Sequence, residues 1–429
     1  VPGRVAGTIE TDPARARPDS ILLIRQEHLA MVSAPPAALV LAEAAPFSHP
    51  LIRWLGCDTP VALIGIEEAD RWGPGQAAIL DCARGELRKR DVGEDVPVWE
   101  SPRAPQGDRP VMTADGTAIR LEASVADAPA AHRAARRGAS GIGLVRSEYL
   151  HPADGSRPTA DFYRRAFADL LTAAEPLGLA IRLLDLAQDK WPPWLTGGLP
   201  GEAQLGLHGS QLFDEPAVAE AVAAQVAALA DLPRSRRLRL IWPSGRSLDD
   251  FRRWRDQARA ALGAGFPIGA MVETPMEALA LDRWASEADF VGLGCNDLLQ
   301  HLCGADRDDP RQRRLLDPYR PELFRFLRYA ADRAGPALDK VHLCGLLSQV
   351  EGVLPMLIGL GFRNFSGEAA LIPLLARVVA EISGAGCAAL VAGVCAARGS
   401  AEVRESLGVA VEGQWGLVRD NPSGAAPGP

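Results

Sequence analysis

Eight strand-like runs, each followed by a helical segment, succeed one another over residues 118–383, and shorter β-rich segments precede them. The apolar runs of this long region stop abruptly at polar or charged side chains, and a proline-rich stretch at 97–117 separates the two regions. These observations predict an α/β protein in which a small mixed α/β domain precedes a (β/α)8 TIM barrel, a fold of about 250 residues whose chemistry sits at the C-terminal strand ends.

In the first domain (1–96), β-branched and leucine-rich segments at 20–24, 38–41, 61–64 and 77–80 read as strands between small helical pieces. Residues 97–117, PVWESPRAPQGDRPVMTADGT, carry four prolines and little apolar period, which predicts an extended linker. The barrel strands are expected at 119–125, 141–145, 181–186, 238–242, 268–272, 290–294, 341–344 and 362–366 within a domain spanning 118–383. Residues 384–429 form a Gly/Ala-rich extension with a short helix near 400–407 and a terminal SGAAPGP expected to be disordered.

Composition sets bounds on function. With 47% hydrophobic and 23% charged residues the chain is an ordinary globular protein, and 46 basic against 54 acidic residues argue against a general nucleic-acid surface. The seven cysteines lack CxxC pairing and read as reduced thiols, with neither disulfides nor a zinc site expected. No apolar stretch reaches the length of a membrane span, so no membrane partner and a cytoplasmic location are expected.

The strand ends carry the candidate chemistry. Arg146 and Glu148 follow GIGLV, Arg182 and Asp185 lie in IRLLDL with Asp189 and Lys190 beyond, and Glu273 ends IGAMV. Asn296 and Asp297 end FVGLG with Arg307 shortly after, and Cys344 ends VHL. Three guanidinium groups at one mouth suit a substrate with phosphate and carboxylate, while two carboxylates suit Mg2+, which completes its octahedron with substrate and water. Each choice has a plainer competitor: Glu273 and Asp297 as salt-bridge partners of Arg182 or Arg307, Asp185 as a structural group, and Cys344 as an inert buried thiol.

The ordered series GASGIGLVRSEYL, IRLLDLAQDK, GAMVETP, FVGLGCNDLLQ with ADRDDP, HLCG and LIGLGFRNFS resembles the phosphoenolpyruvate-utilising enzymes. These include phosphoenolpyruvate synthase, pyruvate phosphate dikinase and enzyme I of the sugar phosphotransferase system. APFSHPLIRWLGCDTPVALIG resembles the family's swivelling phosphohistidine domain, with His49 on the phosphorylated histidine. The resemblance implies that Arg146, Arg182 and Arg307 bind phosphoenolpyruvate with help from Asn296. It further implies that Glu273 and Asp297 hold Mg2+, that His49 takes the phosphoryl group, and that Cys344 protonates the enolate to pyruvate. An unperturbed thiol, with a pKa of about 8.5, would suit that acid role.

Departures accompany the match. His208 stands where the family has arginine, which predicts a weakened phosphate site, and Phe47 replaces a threonine beside the histidine. Ala187-Gln188 replaces a Gly-Gly, and Leu346 replaces a glutamate after Cys344-Gly345. Only a few residues separate VPGRVAGTIE from ILLIR, leaving no room for enzyme I's carrier-binding insertion, and no GxxxxGK[ST] loop occurs. The expected partner is therefore a separate ATP-grasp subunit or another phosphoryl acceptor protein, in the manner of a split synthase or dikinase. A homodimer through the barrel is also expected. The alternatives are an enzyme I-like component and a catalytically reduced regulatory subunit.

Overall fold

The computed structural model describes residues 3–57, 59–82, 84–96, 107–187, 191–195, 208–233, 238–410 and 416–418. Asp189 and Lys190, residues 97–106 of the proline-rich stretch and the terminal SGAAPGP lie outside these.

The first domain is a six-stranded sheet built from β1 (Arg4–Glu10), β2 (Ser20–Arg25), β3 (Ala38–Ala42), β4 (Val61–Ile64), β5 (Ala77–Asp81) and β6 (Glu86–Lys89), ordered β4-β3-β2-β1-β5-β6. Strands β1 to β4 run parallel, while β5 and β6 close the other edge antiparallel. The two-residue period sorts the side chains. Ile21, Leu23 and Val40 enter one buried cluster with Ile9 and Leu80, whereas Leu22, Ile24, Leu39 and Leu41 face the helix His49–Leu55. That helix starts where Ser48 adopts an extended conformation and Pro50 occupies the first turn, and it buries Leu51, Ile52 and Leu55 against the sheet.

Eight parallel strands close the second domain into a barrel: β8 (Ala118–Val125), β9 (Ile142–Arg146), β10 (Leu179–Arg182), β11 (Leu238–Trp242), β12 (Ile268–Val272), β13 (Val291–Gly294), β14 (Val341–Cys344) and β15 (Asn364–Glu368), with β15 pairing back onto β8. All eight expected strands are present. Strand β10 ends at Arg182 rather than 186, and β15 lies two residues later than expected, because Asn364, Ser366 and Glu368 take the inward positions while Phe365 joins the outer core. β7 (Val111–Met112) pairs antiparallel with β8 inside the stretch expected to be linker, since Asp115-Gly116 turns the chain back and Thr113 accepts from Thr117. Beyond β15, the helices Gly384–Ala396 and Ser400–Ser406 continue the helical layer. No single helix among the described residues is long and apolar enough to cross a membrane.

The barrel interior is divided. Leu144, Ala180, Ile241, Met271 and Phe290 form an apolar half. Across it, Glu122 accepts from Arg239 at 2.8 Å and meets His342 Nδ1 at 2.9 Å, and Ser124 and Ser366 hydroxyls lie 3.1 Å apart. Burial pushes the Glu122 carboxyl up, but the Arg239 and His342 charges outweigh it and hold it below the usual carboxylate range.

Candidate active site

At the C-terminal mouth of the barrel, one chamber is lined by His49, Arg146, Arg182, Glu273, Asn296, Asp297, Arg307 and Cys344. Eight of the nine site residues expected from sequence therefore meet, although His49 comes from the other domain. The exception is His208. It starts the turn Gly209–Asp214, where its backbone N–H donates to Gln211 Oε1 at 3.3 Å and Gly209 is tied to the Leu186 carbonyl, so the residue belongs to the loop beyond β10 and is not among the chamber's lining.

Strand ends place each group. Strand β13 runs straight into the helix Cys295–Cys303, so Asn296 and Asp297 occupy its first turn, at the rim. The Asn296 amide oxygen accepts from Leu346 N–H at 2.9 Å and packs against Gly345, whose φ of 102° and lack of Cβ permit the approach, since a Cβ would lie 2.7 Å from that oxygen. Gly294 plays the same part for Glu273, whose Oε1 would lie 2.5 Å from an added Cβ.

Arg182 is the hub. Its guanidinium lies 2.5 Å from Glu148, 2.7 Å from Asp185 and 3.7 Å from Glu273. Burial alone would lower its pKa, but these three carboxylates outweigh burial and keep it charged. Arg146 donates to Glu368 at 3.2 Å, a carboxylate that sequence reasoning missed because β15 was expected to end before it. Burial raises the Glu368 carboxyl despite Arg146, and its Oε2 is buried with no partner among the described residues. Arg307 donates to the Phe47 carbonyl at 3.3 Å, meets Asp297 at 3.0 Å and bonds His49 Nε2, thereby joining the two domains.

Four carboxylates and three guanidinium groups line this chamber. Burial and the neighbouring Asp297 and Asp185 raise Glu273 well above the ordinary carboxylate range, with Arg182 opposing. Such crowding of acids fits a divalent cation, although no group of three or more metal-ligating side chains is assembled among the described residues. Cys344, 4% exposed, donates to the His342 carbonyl at 3.7 Å. Burial, then Glu122 and Glu273, push its thiol up to about 12, in place of the unperturbed value expected from sequence.

With His49 in place the chamber holds about 50 Å³ of open space. On the histidine's other side, a cleft of about 1130 Å³ opens between the domains, bordered by Trp54, Tyr149, Trp191 and Asp308. Asp308, whose contact with His49 spans 259 positions, left no sequence signal beyond its place after Arg307.

Known proteins resemble this chain across the barrel. Residues 102–383 match the family described as PEP-utilising enzyme, PEP-binding domain. The phosphoenolpyruvate-protein phosphotransferase of Streptomyces coelicolor (strain ATCC BAA-471 / A3(2) / M145) is 30% identical over 391 residues, covering 87% of this chain and 68% of the relative. That of Bacillus sp. (strain S) is 31% identical over 284 residues, 62% of this chain and 48% of the relative. Multiphosphoryl transfer protein 2 of Escherichia coli (strain K12) is 28% identical over 347 residues, 78% of this chain and 40% of the relative. The chain thus spans about half, or less, of the length of the Bacillus and Escherichia coli relatives and about two thirds of the Streptomyces one. The family match over the barrel and the Streptomyces relative together place this chain among the phosphoenolpyruvate-utilising enzymes.

Proposed function

We propose that this protein moves a phosphoryl group from phosphoenolpyruvate to Nε2 of His49 and passes it on to a protein acceptor. The observation that carries this is the presence of His49, borne by a separate domain, in one chamber with Arg146, Arg182, Arg307, Glu273 and Asp297. The three guanidinium groups would bind the carboxylate and phosphate of the substrate. As the phosphorus–oxygen bond breaks and the nitrogen–phosphorus bond forms, Arg307, beside Nε2, meets the charge on the phosphoryl oxygens. The electron pair left on the enol oxygen becomes an enolate, and Cys344 gives its proton to C3, releasing pyruvate.

Glu273 and Asp297 would hold Mg2+, which when bound would polarise the substrate oxygens. Because the docked chamber holds only about 50 Å³ beneath His49, against about 1130 Å³ in the outer cleft, substrate would enter after the first domain lifts. The relatives' names, phosphoenolpyruvate-protein phosphotransferase, favour a protein acceptor over the ATP-grasp subunit of a split synthase. A cytoplasmic homodimer through the barrel completes this reading.

The test is incubation with phosphorus-labelled phosphoenolpyruvate and Mg2+, then peptide mapping. Acid-labile, base-stable label is expected on the peptide that contains His49, and unchanged labelling of His49→Ala would refute the assignment.

A further inference from the structure

The two ring nitrogens of His49 face groups of opposite kind. Asp308 Oδ2 lies 2.9 Å from Nδ1, while Arg307 bonds Nε2. A carboxylate oxygen accepts and a guanidinium only donates, so both neighbours select the tautomer with the proton on Nδ1 and the lone pair on Nε2. An imidazolium would set its Nε2–H against the Arg307 N–H. Asp308 Oδ1 also accepts from the His49 backbone N–H at 2.7 Å, fixing the start of the helix that carries the ring.

Asp308 belongs to the barrel domain, yet it borders the outer cleft rather than the substrate chamber. Its backbone is itself held: its N–H donates to Asp306 at 2.8 Å, and its carbonyl accepts from Gln26 Nε2 at 2.9 Å. Gln26 in turn accepts from Ala45 N–H at 2.7 Å, so the first domain grips this turn on two sides.

We propose that Asp308 is a positioning residue that fixes the tautomer and aim of His49 only while the domains are docked. Readiness to accept a phosphoryl group is then a property of the docked pair, not of the domain that carries the histidine. The inference rests on the reading of His49 as acceptor. As the nitrogen–phosphorus bond forms at Nε2 and the bond to the enol oxygen breaks, the ring keeps its Nδ1 proton and gains positive charge, which the Asp308 carboxylate faces. When the domain departs, both contacts are lost together and the phosphorylated ring is presented to its acceptor without them.

The experiment uses the full chain with 15N-labelled histidine, observing His49 by long-range proton–nitrogen correlation and assigning it by the signal lost in His49→Ala. The wild type should show a protonated Nδ1 and a bare Nε2. Asp308→Asn, whose amide donates where the carboxylate accepted, should move the ring toward the opposite tautomer. It should also slow labelling by phosphoenolpyruvate about 100-fold or more, as loss of a histidine-orienting carboxylate does elsewhere, with KM changed less than about twofold. Asp308→Glu should recover part of both. Ring signals unmoved in Asp308→Asn would overturn the inference whatever phosphoenolpyruvate does. A shifted tautomer in the variant with a wild type that takes no label would instead leave Asp308 as the orienting group and overturn the functional reading alone.

Discussion

Cys344 holds its proton tightly, because burial and the carboxylates of Glu122 and Glu273 all oppose a thiolate. With its thiol pushed up to about 12, it should be alkylated by iodoacetamide at pH 8 at least about tenfold more slowly than the half-buried Cys57, as followed by mass spectrometry. Cys344→Ala should still transfer the phosphoryl group but slow exchange of pyruvate methyl protons into deuterated water by about 10²-fold or more. Unaltered exchange would remove the thiol from the reaction.

Glu273 gives a second residue-scale prediction. Its folded carboxyl titrates above the unfolded one, so the folded state binds the extra proton. Stability from this group is present at low pH and lost as pH rises through the raised value. Metal-free Glu273→Gln should therefore melt higher than wild type at pH 8, by about 2–4 °C for each kcal/mol relieved, and little differently near pH 4. Mg2+ should raise the wild-type midpoint at pH 8 and leave the variant unmoved in calorimetry.

At the scale of elements, the barrel depends on an interior that is half polar. Removing Glu122 strands the Arg239 and His342 groups that face it, so Glu122→Ala should cost about 3–5 kcal/mol in urea unfolding at pH 7. Because this carboxyl titrates low in the fold, its stabilising share is present above the unfolded value and fades as pH falls through the folded one; the difference between variant and wild type should shrink in acid. Gly143→Ala tests the same packing, since a Cβ there would lie 2.7 Å from Glu122 and 2.8 Å from Ser366.

Legibility in the sequence followed the same physics. Continuous apolar runs such as Ile268–Val272 are legible because parallel strands are buried on both faces, and a sudden carboxylate after them marks the rim. β6, Glu86–Lys89, is polar at a sheet edge, and β7 has only two residues, so neither carries an apolar pattern. Glu368 was hidden by a two-residue displacement of β15, and Asp308 by a contact that exists only between domains. His208 shows the converse: a motif position locates a residue in the chain but not its neighbours in space, here the turn Gly209–Asp214 that it starts.

For the molecule as a whole, polar contacts join the two domains beside apolar side chains, among them Phe47 and Ile52, that share one buried cluster with the barrel. Beyond the His49 bonds, Arg133 donates to the Gly56 carbonyl at 3.1 Å, Arg313 lies 3.5 Å from Glu43, and Arg53 lies over the Tyr149 ring. Arg133→Ala and Arg313→Ala lie away from the chamber and should each slow single-turnover phosphorylation of His49 by up to about fivefold, matching the roughly 0.2–1 kcal/mol such contacts contribute, with phosphoenolpyruvate affinity unchanged. Equal rates in the double variant would show that docking does not limit the step.

The roughly 50 Å³ left beneath His49 has one more consequence. In many enzymes a lid closes over a substrate and a separate nucleophile waits below; here the cover and the reagent are the same imidazole. On the proposed reading, covering the chamber and delivering the attacking atom become a single event, so a covered chamber always has its nucleophile in place, and substrate that binds while the domain is lifted waits for cover and reagent together.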